Sequence, residues 1–202
     1  MIIDKQIHNL SENNFFPVRT IKKQIILGNT FNSDMKHVLS WKNRSNGNYK
    51  KTAHFTISES GEIFNHFDPE FQSSFFNDRY LDSKSIIILI ENIGWVEKDE
   101  KNRFITMYGD IYKNTDNVIA KKWREHEFWV KYNEKQVESV LELINKLSEE
   151  FYIPKIVFGH NTKIDDLSDY QGVLYKSNLE KYYNDLSPAW DFKSFKEKLE
   201  KK

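Results

Sequence analysis

The chain has 202 residues, 39% of them hydrophobic, which is about one domain's worth of sequence with enough apolar side chains for a sizeable core. Its 30 acidic and 30 basic residues cancel, so no global charge directs it toward nucleic acid or a membrane surface. With no cysteine, disulfides, thiolate metal sites and a cysteine nucleophile are all excluded.

The first residues, Met1 to His8, hold no apolar run of signal-peptide length. The chain is therefore expected to be cytoplasmic at synthesis, with no membrane span and with any delivery to a cell wall left to another system. Gln24–Leu27 reads as a buried strand, and Ser33 or Asp34 is placed to cap a helix carrying Met35, Val38, Leu39 and Trp41. Thr52–Ser58 and Glu62–Phe67 read as a hairpin around Glu59, Ser60 and Gly61, where glycine supplies the positive φ. Ser85–Asn92 is too apolar for a strand with one wet face, which predicts a central strand covered on both sides. Residues 97–118 are polar and read as an insertion with a small hairpin. Asn133 opens the clearest helix, with Gln136 as its capping-box partner and Val137, Val140, Leu141, Ile144 and Leu147 on one face. Pro154 ends that helix before an apolar strand reaching His160. After Gly172 the chain reads as loop until a short charged helix over Lys193–Lys202. No repeat, low-complexity tract or linker divides it. The expectation is a single α/β domain over 1–202, with a core of about 20–195, a short N-terminal arm, and a central mixed, mostly parallel sheet flanked by helices.

The chemistry begins at Ile153–Asn161, a short strand that delivers His160 to a strand end, followed later by Asp185. A strand-end histidine with a later carboxylate is the downstream half of a zinc hydrolase site, in which three protein ligands leave one position for water. The upstream half should be a ligand at another strand end. Gln24–Leu27 runs instead into Gly28, Asn29 and Thr30, and neither glycine nor asparagine is a good zinc ligand.

Several motifs in order carry a resemblance. They are Gln24–Leu27; Ala53–Ile57 with Ser60–Ile63; Ser85 through Gly94–Trp95; Tyr132–Gln136; Ile153–Pro154; Gly159–Asn161; Ser177–Asn178; and Asp185–Phe192. Together they resemble the type 2 N-acetylmuramoyl-L-alanine amidases, the fold shared with peptidoglycan recognition proteins. The resemblance implies a zinc ion held by two histidines and an Asp or Cys, with zinc-bound water attacking the amide between lactyl-muramic acid and L-alanine. Carried onto this chain, the second histidine falls on His160 and the third ligand on Asp185. The first histidine falls on Gly28, a strand glutamate on Leu89, a carbonyl-polarising lysine on Tyr183, and a common tyrosine on Ala53. Glu91, two places beyond Leu89, points the same way from its strand and reads either as a lone base or as the strand's polar terminus.

The resemblance and its gaps imply an amidase-like domain with a degraded zinc site and impaired catalysis, leaning away from an enzyme. Structural zinc sites gain roughly 10–16 kcal/mol when their full ligand set acts together, and two ligands hold the ion far more weakly. Leu89 and Gly28 are expected to make the floor apolar and roomier. No cofactor is expected. The ligand is expected to be a peptidoglycan fragment or another small glycan or peptide, bound by Asn29, His54, Glu91, His160, Asn161, Tyr183 and Asp185. Two alternatives stand beside this: an active zinc-dependent amidase that recruits His54 or His37 as a substitute ligand, and a non-catalytic scaffold with a vestigial groove. His66 is read as a possible groove wall, and His8 and His126 as solvated. The aromatics Trp123, Phe128, Trp129 and Tyr132, interleaved with lysines and Arg124, read either as a sugar-stacking face or as the anchor of the long helix. Phe71, Phe75, Phe76 and Tyr80 read as a groove wall or as packing over the sheet edge.

Overall fold

A computed structural model describes residues 1–160, 170–179 and 186–201. In chain order, β1 (Ile3–Asp4), β2 (Phe16–Arg19) and β3 (Gln24–Asn29) precede helix α1 (Lys36–Asn43). Strands β4 (Phe55–Ile57), β5 (Ile63–Asn65) and β6 (Phe71–Gln72) follow, then helix α2 (Arg79–Lys84) and strand β7 (Ser85–Ile90). A run of β8 (Trp95–Lys98), β9 (Phe104–Thr106), β10 (Ile111–Tyr112), β11 (Val118–Trp123) and β12 (His126–Val130) leads to helix α3 (Glu134–Phe151). The described chain ends with β13 (Gly172–Tyr175), α4 (Lys176–Leu179) and α5 (Phe192–Glu200).

The main sheet has the order β1-β5-β4-β7-β3-β13. Its strands β4, β7, β3 and β13 are mutually parallel and only β4–β5 is antiparallel, so the mixed, mostly parallel sheet is as expected. The carboxyl ends of β4, β7, β3 and β13 consequently share one edge. Every residue of β3 and β7 is buried, because both faces are covered. On one face Ile25, Leu27, Ile86 and Ile88 pack against Val140, Leu143, Ile144 and Leu147 of α3 and Phe195 of α5. On the other, Ile26, Ile87, Leu89 and Leu174 pack against Val38 and Trp41 of α1 and against Phe75. Among the described residues, no helix is long and apolar enough to cross a membrane.

Local chemistry explains the predicted elements that formed. Asn133 and Gln136 make the capping box of α3, with the Asn133 side chain accepting from Lys135 N at 2.8 Å and Gln136 Oε1 accepting from Asn133 N at 3.0 Å. The β4–β5 hairpin turns at Gly61, whose φ is 88°.

Three expectations are corrected. Neither Ser33 nor Asp34 caps α1: the cap is Met35 in the left-handed region, with no side-chain cap bond, and the remote Glu91 carboxylate accepts its N–H at 2.7 Å. The polar insertion is the start of a five-stranded antiparallel sheet of order β10-β9-β8-β12-β11, whose strands are short and half exposed and so carry little periodic signal. The stretch before His160 is not a ladder strand, since only Val157 makes a bridge, to Val173. The strand beside β3 is β13, in the segment read as loop.

Candidate functional site

Register places the site positions. Across β13 and β3, Tyr175 pairs with Leu27, which brings Lys176 level with Gly28; across β3 and β7, Gly28 pairs with Leu89; across β7 and β4, Leu89 pairs with Thr56. Lys176, Gly28, Leu89 and Thr56 thus form a row near one edge of the sheet, on the face covered by α1. A Cβ at position 28 would meet Leu89 Cδ2 at 3.0 Å and the Lys176 stem at 3.6 and 3.8 Å. The space above Gly28 is therefore filled by a lysine stem and a leucine, not roomier as expected. Lys176 is only 7% exposed, and its ammonium stands 5.3 Å over the Phe75 ring.

Zinc needs lone-pair donors on nitrogen, sulfur or oxygen. This row offers a glycine, a leucine and a cation, so its residues do not fit a zinc ion. Among the described residues, no group of three or more His, Asp or Glu side chains is placed to hold a metal.

His160 packs between β13, α5 and the small sheet. Its ring stacks on Phe192 of α5 at 3.6 Å and meets Trp123 of the small sheet at 5.1 Å and Tyr175 of β13 at 6.1 Å. Its Nε2 donates to the Leu186 carbonyl at 3.1 Å. Burial holds its pKa down at about 4, helped by the charges of Arg124 and Lys121 and opposed by that hydrogen bond, so the ring is neutral at pH 7. The residue level with Gly28 is Lys176, not His160. Asp185, Tyr183 and Asn161 lie outside the described residues.

His54 is fully buried. Its Nδ1 accepts from Ile87 N at 3.0 Å and its Nε2 donates to the Phe71 carbonyl at 3.0 Å, so both ring nitrogens are used inside the fold. It is placed in the core, not on a cleft wall, and has no lone pair left for a metal. His37 and His66 are also internal. His66 Nδ1 donates to the His8 carbonyl at 2.9 Å, which leaves its Nε2 to accept from Thr56 Oγ1 at 2.9 Å. Thr56 Oγ1 then accepts from His37 Nε2 at 3.0 Å. Burial lowers His37 to about 3 and His66 to about 4, so both rings are neutral at pH 7, and it is this neutrality that gives the chain its direction.

Glu91 sits just beyond β7 and is 3% exposed. Its carboxylate accepts from Met35 N at 2.7 Å and from Glu59 N at 3.2 Å, anchoring the start of α1 and the β4–β5 turn. Burial raises its pKa and the two N–H donors lower it. With Asp34, Ser58, Glu59, Glu62 and His8 it lines a cleft of about 400 Å³ at the ends of β4 and β7. Asn29, at the end of β3, is 5% exposed and accepts from Phe31 N at 3.3 Å. Trp129 and Trp190 are core residues, while Trp123 bridges the small sheet to His160. Phe75 packs in the core beside α1, and Phe71 and Phe76 lie partly buried against it.

Sequence reading missed Lys176 because its place beside Gly28 depends on β13, a strand of four residues. The signal was the apolar triplet Val173–Tyr175 immediately before it.

Comparison with known proteins agrees with this architecture. The family model "N-acetylmuramoyl-L-alanine amidase" matches residues 18–171. Among solved structures, the N-acetylmuramoyl-L-alanine amidase LysC from Clostridium intestinale URNW is 14% identical, covers 98% of this chain and 97% of its own, and superimposes with a TM-score of 0.59. A mutant endolysin from Bacillus subtilis is 16% identical, covering 98% and 99%, with a TM-score of 0.56. AmpDh3 from Pseudomonas aeruginosa, solved in complex with anhydromuramic pentapeptide, is 15% identical, covering 98% of this chain and 66% of its own, with a TM-score of 0.54. At these identities the structures speak for the fold. No curated protein matches the chain. With the family model spanning most of its length and the fold in agreement, the chain belongs to the N-acetylmuramoyl-L-alanine amidase family.

Proposed function

We propose that this domain binds a peptidoglycan fragment in the crevice at the carboxyl ends of β4, β7, β3 and β13, and that it does so without zinc-driven hydrolysis. The observation that carries the reading is Gly28, which offers no donor at a ligand position and whose open side is taken up by Leu89 and the Lys176 stem. Family membership supplies the ligand class, and AmpDh3, solved with anhydromuramic pentapeptide, illustrates it for a protein of the same fold. In open sheets of parallel strands, ligands settle outside the carboxyl strand ends, where the cleft beside Glu91 lies. Glu91 and Asn29 belong to this end of the sheet. Asn161, Tyr183 and Asp185 are proposed contacts by their place in the chain.

The reading separates from a working amidase by two measurements on purified protein. Titration calorimetry with anhydromuramyl peptides should show binding, while chromatography of digested peptidoglycan shows no release of stem peptide and metal analysis shows no stoichiometric zinc. Zinc-dependent release of stem peptide at the rate of an active amidase would overturn the reading and establish the enzyme instead. Absence of binding to any muropeptide would leave a scaffold.

A further inference from the structure

We propose that the domain carries a second binding site, for an uncharged sugar unit of a glycan, in the pocket between β2, β6 and the start of α2. This goes beyond the crevice reading, because the pocket lies toward the opposite edge of the main sheet. β2 leads into the amino end of β3 and α2 into the amino end of β7, whereas the crevice stands at their carboxyl ends.

The pocket has a volume of about 410 Å³, within the range of small-ligand sites. Its apolar wall is Phe16 and Val18, two residues apart on β2 and 38% and 57% exposed. Lys50 sets the ring of Phe16, with its ammonium 4.8 Å over that ring and donating to the Phe15 carbonyl at 2.6 Å. The polar wall comes from β6, the loop after it and α2, through Gln72, Ser74, Asn77 and Arg79. Among the described residues, none of these four side chains makes a hydrogen bond or ion pair within the fold. The backbone beneath them is fixed instead. Ser74 N donates to the Lys50 carbonyl at 3.1 Å, and the buried Asp82 carboxylate accepts from Phe76 N at 2.9 Å. Asp78 caps α2 by accepting from Tyr80 N and Leu81 N, both at 3.0 Å. An anchored loop thus presents two amides, a hydroxyl and a guanidinium that are open to a ligand.

The chemistry of the lining selects the ligand. Among the described residues that line it, Arg79 is the one cation and Asp82 the one anion, so no net charge recruits a phosphate or other ionic polymer. A pyranose has a face of C–H bonds, which suits a wall of one aromatic and one aliphatic side chain. It also has a rim of hydroxyls, each both donor and acceptor, which suits planar amides.

The test titrates the full isotope-labelled chain with the uncharged N-acetylglucosamine tetramer and follows the backbone amides by NMR. Saturable shifts at Gln72, Ser74, Asn77 and Arg79 are the expected result. The Gln72→Ala/Asn77→Gly double variant should weaken the tetramer at least about tenfold, since it removes both amides. Glycine at 77 keeps the left-handed backbone, where φ is 56°, so the amide is lost without strain. Should that variant fail to fold, Arg79→Ala, an exposed change in the first turn of α2, should weaken binding about threefold or more. Shifts confined to Glu59 and Asn92 in the crevice would overturn the proposal. So would the absence of any saturable shift at millimolar tetramer, or an unchanged affinity in the folded variants. Neither zinc nor stem peptide enters these readouts, so failure here is distinguishable from failure of the crevice reading.

Discussion

Gln136 and Glu91 are joined by a buried hydrogen bond of 2.7 Å from the Gln136 side-chain amide to the Glu91 carbonyl. The same glutamine caps the backbone of Asn133 through its oxygen. One side chain therefore ties the first turn of α3 to the end of the central strand. Gln136→Ala removes a capping bond, worth about 1 kcal/mol, and leaves a buried carbonyl without its donor, at about 1–3 kcal/mol. The expected loss is roughly 2–4 kcal/mol in urea denaturation. Gln136→Glu keeps the cap but sets a carboxylate oxygen against the Glu91 carbonyl, so it should cost at least as much as alanine, and a variant as stable as wild type would show that the Gln136 donor contributes nothing.

Glu91 extends this junction to α1. Glu91→Gln keeps one good acceptor and loses the charge, with an expected cost of about 1 kcal/mol, whereas Glu91→Ala orphans the Met35 and Glu59 amides at roughly 2–3 kcal/mol. Hydrogen exchange should show faster opening at Met35 and Glu59 in the alanine variant. Unchanged protection there would refute the anchoring role.

Acid should unfold the domain early. His37 and His66 are neutral in the fold with pKa values near 3 and 4, and His54 is lowered too, in each case first by burial. A histidine whose folded pKa is depressed contributes stability that is complete above its ordinary value near 6.5 and is lost as pH falls toward the folded value, because the unfolded chain takes the proton first. For His66 the gap amounts to roughly 3 kcal/mol. Asp82, raised to about 6 by burial, works in the opposite direction and partly offsets the loss. Denaturation midpoints should fall steeply between pH 6.5 and 4, less so in His66→Gln. A flat profile over that range would contradict the buried histidine chain.

The space over Gly28 gives a graded expectation. Gly28→Ala adds a Cβ close to a flexible leucine terminus and should change stability by less than about 1.5 kcal/mol. Gly28→His must also displace the Lys176 stem and should cost about 1–3 kcal/mol, readable as a lowered Tm. Equal Tm values for wild type and the histidine variant would show that the row is looser than described.

Much of this fold was legible in the chain. The unbroken apolar run of Ser85–Ile90 announced a strand buried on both faces, and the Asn133–Gln136 spacing announced the start of α3. What escaped was non-local. The start of α1 is held by a carboxylate from the end of β7, which no local pattern at Ser33 or Asp34 reveals. The small sheet consists of strands of two to six residues with mixed exposure, below the length at which alternation is readable. At the site, Gly28 was legible as a missing donor. Its neighbour was not, because a lysine far along the chain comes level with it only through parallel pairing of β13 with β3.

Asn92 closes the base of the small sheet. Its Nδ2 donates to the carbonyls of Val130 and Lys131, at 3.3 and 3.0 Å, and its Oδ1 accepts from Gly94 N at 2.7 Å. The chain thus leaves and re-enters the main domain through a single stitched doorway. A segment that departs and returns side by side behaves as a cassette: its hairpin tips, away from Trp123 and its contact with His160, are free to diverge without disturbing the strands on either side. Lineages of this family can therefore be expected to differ most between Lys98 and Val118, and shortening that stretch is the natural way to find out what the cassette contributes.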